Sequence, residues 1–153
     1  MAIGDHRLGY PAPLRHAGGG ERPHHVDLHR LPPEGDTGKS TVALGILHRL
    51  TAMVPRAAVF RPITRRENRD YILELLLAHS NAGLSYEDCV GGVTYEQLHA
   101  DPDAAIADIV DRYHEVADRC DAVVIVGSDY TDVATPTELS VNARIAANLG
   151  APV

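Results

Sequence analysis

The stretch Glu34-Gly35-Asp36-Thr37-Gly38-Lys39-Ser40-Thr41 decides how the rest of this sequence is read. Phosphate binding needs backbone N–H groups that point inward, glycines where a side chain would collide, a helix N-terminus and one lysine as a point charge. Gly38-Lys39-Ser40-Thr41 supplies these in order, and Ser40 adds the hydroxyl that coordinates magnesium in such loops. The full G-x-x-x-x-G-K-[S/T] pattern would put its first glycine at residue 33, where Pro33 stands; Gly35 partly substitutes. A Gly-Lys-Ser tripeptide alone arises by chance. Its weight here comes from the helix and strand pattern on its carboxyl side.

Downstream of the loop, Ser40 to Met53 carries Val42, Leu44, Ile46, Leu47 and Leu50 without an internal proline, which predicts a helix stopped at Pro55. Arg56 to Phe60 is a short apolar run closed by Arg61-Pro62, the mark of a buried parallel strand ending in a turn. Tyr71 to His79 reads as a leucine-rich helix ended at Asn81-Ala82-Gly83, with loop from Leu84 to Gly92. Asp101-Pro102-Asp103 is a capped helix start, followed by Ile106, Ile109, Val110, Tyr113, Val116 and Cys120 at three- and four-residue steps. Ala122 to Val126 is continuous and β-branched, as expected of a central strand covered on both faces. Thr135-Pro136-Thr137-Glu138 has capping-box spacing and opens a last helix that stops at Gly150, and Ala151-Pro152-Val153 reads as the entrance to another strand. Helix and strand alternate throughout. The fold class expected is therefore α/β, an incomplete three-layer fold of the phosphate-loop type with a parallel sheet and crossover helices.

Upstream of the loop the composition changes. Residues 1–33 hold five of the nine histidines, a Gly18-Gly19-Gly20 run and five of the ten prolines. Their apolar residues show neither helical nor strand period, so an irregular, disordered N-terminal arm is expected there, ahead of a domain over residues 34–153. Only Val26, Leu28 and Leu31 could make the strand that normally precedes a phosphate loop, so that strand is expected to be missing. His24, His25 and His29 invite a metal reading, but it needs a helix that the segment does not support.

The whole chain of 153 residues carries a formal charge of -7, which argues against nucleic acid or an anionic membrane surface as partner. No apolar run approaches the ~20 residues needed to span a bilayer, and no signal peptide is apparent, so a cytoplasmic protein is expected. Cys89 and Cys120 form no metal-type spacing and read as buried thiols. A phosphate loop that turns over nucleotide also needs an acid at the end of a neighbouring strand. Asp129 and Asp36 are the candidates, each equally readable as a turn aspartate. Arg61, after its strand, is placed either to reach a phosphate or to form a surface salt bridge.

The segments Pro33 to Thr41, Val59-Phe60-Arg61-Pro62-Ile63, Ala122 to Tyr130 and Asn142 to Val153 resemble, in order and spacing, the N-terminal domain of long bacterial phosphate acetyltransferases, particularly actinobacterial ones. That domain is similar to dethiobiotin synthetase and to the wider group of P-loop ATPases with deviant loops. The resemblance spans residues 33–153 and implies a dethiobiotin synthetase-like domain. It places the phosphate- or nucleotide-binding positions at Gly35, Thr37, Gly38, Lys39, Ser40 and Thr41, with Ser40 and Asp129 as magnesium ligands and ATP or another nucleotide as cofactor. In the family, acetyl transfer between coenzyme A and phosphate belongs to a separate C-terminal domain, and the N-terminal domain regulates and assembles. The acid that dethiobiotin synthetase-like enzymes place directly after the central strand falls at Gly127.

These readings lead to a fragment of a regulatory domain with no catalytic residue of its own for acetyl transfer in acetate metabolism. Its expected partners are a nucleotide or metabolite effector, a second copy, or a catalytic domain onto which it docks. Two other classes stay open. One is a small dethiobiotin synthetase-like ATP-binding protein or ATPase, and the other a non-catalytic interaction module.

Overall fold

The computed structural model describes residues 24–27, 38–64, 69–127 and 135–151. Its elements run β1 (His24–Asp27), α1 (Lys39–Thr51), β2 (Ala57–Ile63), α2 (Tyr71–Leu77), β3 (Val90–Val93), α3 (Tyr95–Ala100), α4 (Pro102–Ala117), β4 (Ala122–Ile125) and α5 (Thr135–Asn148). The four strands form one sheet in the order β1-β4-β2-β3, and every pairing is parallel. β4 is interior, with Ala122 to Ile125 aligned to His24 to Asp27 on one side and to Ala57 to Phe60 on the other.

The two-residue period of the strands divides the core into two layers. Ala57, Val59, Val124 and Val126 pack with Ala43 and Leu47 of α1 and with Leu73 and Leu76 of α2. Ala58, Phe60, Val123 and Ile125 face the other way, onto Ile106, Ile109, Tyr113 and Val116 of α4 and onto Ile145 and Ala146 of α5. Phe60 meets Tyr113 edge to face, ring centroids 5.5 Å apart. Helices thus cover both faces of a parallel sheet, which is the α/β three-layer architecture expected from the alternation of elements. The spacing of Ile106, Ile109, Tyr113 and Val116 does turn one stripe of α4 inward.

Three local expectations are corrected, and one element is added. A strand does precede the loop: β1 lies inside the segment read as an irregular arm, and the remainder of residues 1–33 falls outside the described residues. Backbone pairing along β4 makes β1, and an edge strand does not require apolar side chains on both faces. The second correction concerns β2, which runs through Arg61 and Pro62 to Ile63 instead of turning at Pro62. Arg61 N–H still donates to Cys89 O at 2.9 Å, and a register irregularity toward β3 falls between Arg61 and Ile63, a setting in which a strand tolerates proline. Third, the end of the supposed loop Leu84 to Gly92 belongs to β3. The added element is α3, a helix that the apolar spacing does not announce; Thr94 caps it with a full capping box that includes Gln97.

The amino end of the sheet is stitched by side chains. Asn81 Oδ1 accepts from Ala57 N–H at 2.7 Å while its amide donates to Thr51 and Val54 carbonyls, tying the end of α1 to the start of β2. Arg56 reaches Asp121 at 2.9 Å and, with that hydrogen bond, holds the Asp121 carboxyl below its usual range. Elsewhere, Arg144 of α5 pairs with Asp103 in the first turn of α4.

Gly91 is the tightest point. A Cβ there would lie 2.1 Å from the Pro62 carbonyl oxygen, so β2 and β3 approach as closely as they do only because residue 91 has no side chain. Gly45, in mid-α1, has open space where its Cβ would stand. Gly91→Ala should therefore destabilise the fold by about 1–3 kcal/mol or more. By the same comparison Gly45→Ala should stabilise it by roughly 0.5–1 kcal/mol. Urea unfolding of both variants checks the opposite signs.

Candidate functional site at the carboxyl end of the sheet

In a parallel α/β sheet ligands bind outside the carboxyl ends of the strands, and here α1 starts at that end. Gly38 is its N-cap, with φ of 72° and no capping side chain. A Cβ on Gly38 would meet nothing within 4 Å, so the glycine is required by its left-handed backbone and not by crowding. First-turn N–H groups have no intrahelical acceptor, and a glycine N-cap supplies no side-chain acceptor for them, which suits an anion at the helix start. Lys39 opens α1; Ser40 is half-buried and Thr41 exposed, both in the first turn.

Gly38, Lys39, Ser40 and Thr41 are therefore gathered at one helix start. Gly35, Thr37, Asp36 and Asp129 lie outside the described residues. The donor set that is described, a glycine-capped helix start with a lysine and a first-turn hydroxyl, fits a phosphate group with a magnesium ion. Among the described residues no group of three or more His, Cys, Asp or Glu is placed to hold a metal by itself.

Arg61 is neither exposed nor directed to solvent. Only 6% of it is accessible, in the carboxyl half of β2, the strand next to β4. Its Nε donates to Asp70 Oδ2 at 2.9 Å and one terminal nitrogen donates to Gly127 O at 2.7 Å. Asp70 is fully engaged in turn. Its Oδ1 caps α2 by accepting from Leu73 N–H at 3.1 Å, its carbonyl accepts from Glu74 N–H, and its own N–H donates to the Tyr86 hydroxyl at 2.8 Å. The Arg69 guanidinium stacks 4.2 Å above the Tyr86 ring. One buried cation thus links the end of β2, the segment leaving β4 and the start of α2. The expected surface salt bridge is replaced by an internal one. Sequence reasoning missed Asp70 and Tyr86; only an aspartate before a leucine-rich helix hints at a cap.

Both cysteines are free and buried. Burial pushes the Cys89 thiol up to about 12 and raises Cys120 in the same direction, so both stay protonated and unreactive near neutral pH.

Removing the carboxylate from Arg61 would leave a buried charge unpaired and α2 uncapped. Asp70→Ala should destabilise the chain by about 3–5 kcal/mol, against roughly 1 kcal/mol for loss of an ordinary cap. Thermal or urea unfolding distinguishes the two sizes of effect.

Comparison with known proteins agrees with this architecture. Residues 31–153 match a family model described as an AAA domain, AAA_26. The chain is 33% identical over 134 residues to a phosphate acetyltransferase of Nitratidesulfovibrio vulgaris, an alignment covering 83% of this chain and 19% of that protein. It is 32% identical over 133 residues to the phosphate acetyltransferase of Synechocystis sp., covering 82% of this chain and again 19% of the relative. The chain thus spans about a fifth of the length of these curated relatives. No helix among the described residues is long and apolar enough to cross a membrane. On a family match that runs from ahead of the phosphate loop to the last residue, the chain belongs to the AAA_26 family of AAA domains.

Proposed function

We propose that this chain acts as part of the N-terminal regulatory domain of a cytoplasmic phosphate acetyltransferase, binding a nucleotide with magnesium at its loop and performing no acetyl transfer itself. The observation that carries the reading is the coincidence of the similarity to those enzymes with the geometry at Gly38, a left-handed glycine N-cap followed by Lys39, Ser40 and Thr41 in the first turn of α1.

Each residue at that helix start has a separable part. The backbone N–H groups of the first turn of α1 donate to the oxygens of a phosphate, and Lys39 adds a point charge whose reach suits the outer phosphates of a nucleotide. The Ser40 hydroxyl and Asp129 would hold the magnesium ion, which neutralises phosphate charge. Gly35 and Thr37 belong to the same loop and would line the phosphates with backbone donors.

The expectation of no acetyl transfer rests on the resemblance, which assigns that chemistry to a separate C-terminal domain; the buried, protonated Cys89 and Cys120 add only that neither offers a thiolate to carry an acyl group covalently. Turnover of the nucleotide in the manner of dethiobiotin synthetase is less favoured than binding. Two residues after β4 stands Gly127, which has no carboxylate and whose carbonyl is engaged by Arg61. The proposed role is to bind, and through binding to influence a catalytic domain or a second copy.

Calorimetry with ATP and magnesium tests this reading. Wild type should bind, and Lys39→Ala should bind at least about tenfold more weakly, a loss of ~1.4 kcal/mol. The pure chain should form no acetyl phosphate from acetyl-CoA and phosphate above the uncatalysed background. Acetyl phosphate formation, or affinity indifferent to Lys39, would refute the proposal.

A further inference from the structure

The Arg61 cluster has a geometry that phosphate binding by itself does not explain. Arg61 sits on β2, Asp70 is the N-cap of α2, which follows that strand, and Gly127 lies on the segment leaving the neighbouring strand β4, so one buried guanidinium joins parts of the chain from two adjacent strands. Both partners are shielded, with side-chain exposures of 7% for Arg61 and 13% for Asp70. Planar guanidinium geometry fixes the directions of the two N–H bonds relative to one another. A shift of the Gly127 carbonyl therefore turns the guanidinium, and turning it moves the Asp70 carboxylate. Asp70 has no slack to absorb such a shift, because its other oxygen caps Leu73 and its N–H is bound by Tyr86.

We infer that Arg61 and Asp70 are positioning residues whose ion pair holds the segment leaving β4 and the first turn of α2 as one body, so that occupancy at the carboxyl end of β4 is felt at α2. The pair is a brace and not a ligand contact. Tyr86 extends it toward the segment before β3, where Arg69 both stacks on the ring and pairs with Glu74 of α2 at 2.8 Å. Communication from a bound nucleotide to α2 rests on the proposed function; the brace itself does not.

The test separates the two. The double variant Arg61→Met with Asp70→Ser removes the brace, leaves no unpaired buried charge and keeps a capping hydroxyl for Leu73; Asp70→Ser alone, which keeps Arg61, is the second variant. Hydrogen exchange is read at Val126 N–H, which donates to Phe60 O at 2.9 Å, a backbone bond in which neither altered side chain is donor or acceptor. Val124 N–H, in the middle of β4, reports global opening.

The brace predicts that Val126 exchange rises at least about tenfold relative to Val124 in the double variant, while Leu73 stays protected. Val126 exchange unchanged in both variants would overturn it. With ATP and magnesium added, Leu73 exchange should slow in wild type. In the double variant it should not slow, although calorimetry still registers binding. Equal slowing in both would also overturn the brace as the route. If wild type binds no ATP, the nucleotide reading falls, and the Val126 result still decides the brace.

Discussion

A guanidinium taken out of water costs several kcal/mol unless its charge and its N–H groups find partners, and Arg61 is such a guanidinium at the end of a strand in the sheet interior. Its position constrains everything around it. Asp70 has to arrive beside it, which fixes where α2 begins, and Gly127 has to present its carbonyl, which fixes how the chain leaves β4. α1 packs across β2 and β4 from the same face as α2, so the start of the phosphate-loop helix is referred to the same end of the sheet. The apolar layers supply most of the cohesion. The buried ion pair specifies how the carboxyl end is arranged.

Beneath that pair, β4 is paired on both edges and buried on both faces, and it is the part of the fold most plainly written in the sequence. Ala122-Val123-Val124-Ile125-Val126 has no polar residue to assign to a solvent face, so burial on both sides could be read directly. α4 was equally legible, because Asp101 and Pro102 mark its start and its apolar residues return at helical spacing. α1 and α2 lay within a residue or two of their expected bounds. These elements declare themselves locally.

What was hidden depends on partners distant in sequence. β3 is Val-Gly-Gly-Val, a poor strand by propensity, formed because β2 lies alongside and Gly91 admits the Pro62 carbonyl. β1 is His-His-Val-Asp, and only the free edge of β4 makes it a strand. The burial of Arg61 follows from one partner nine residues away and another 66 away. Of the candidate site, Gly38 to Thr41 was legible as a helix start that presents backbone donors, because glycine and lysine at that spacing have a local meaning. The support beside it, Arg61 with Asp70 and Tyr86, has none until the strands are in place.

Both layers of the core, and the carboxyl end they support, depend on β4 being an interior strand. Native-state hydrogen exchange, followed by NMR on the intact chain, measures this directly. The amides of Val123, Val124 and Ile125 should be among the last to exchange, opening only with global unfolding and with the same denaturant dependence as the whole chain. Exchange of these three amides at rates close to those of an unstructured peptide, under conditions where α4 remains protected, would contradict it.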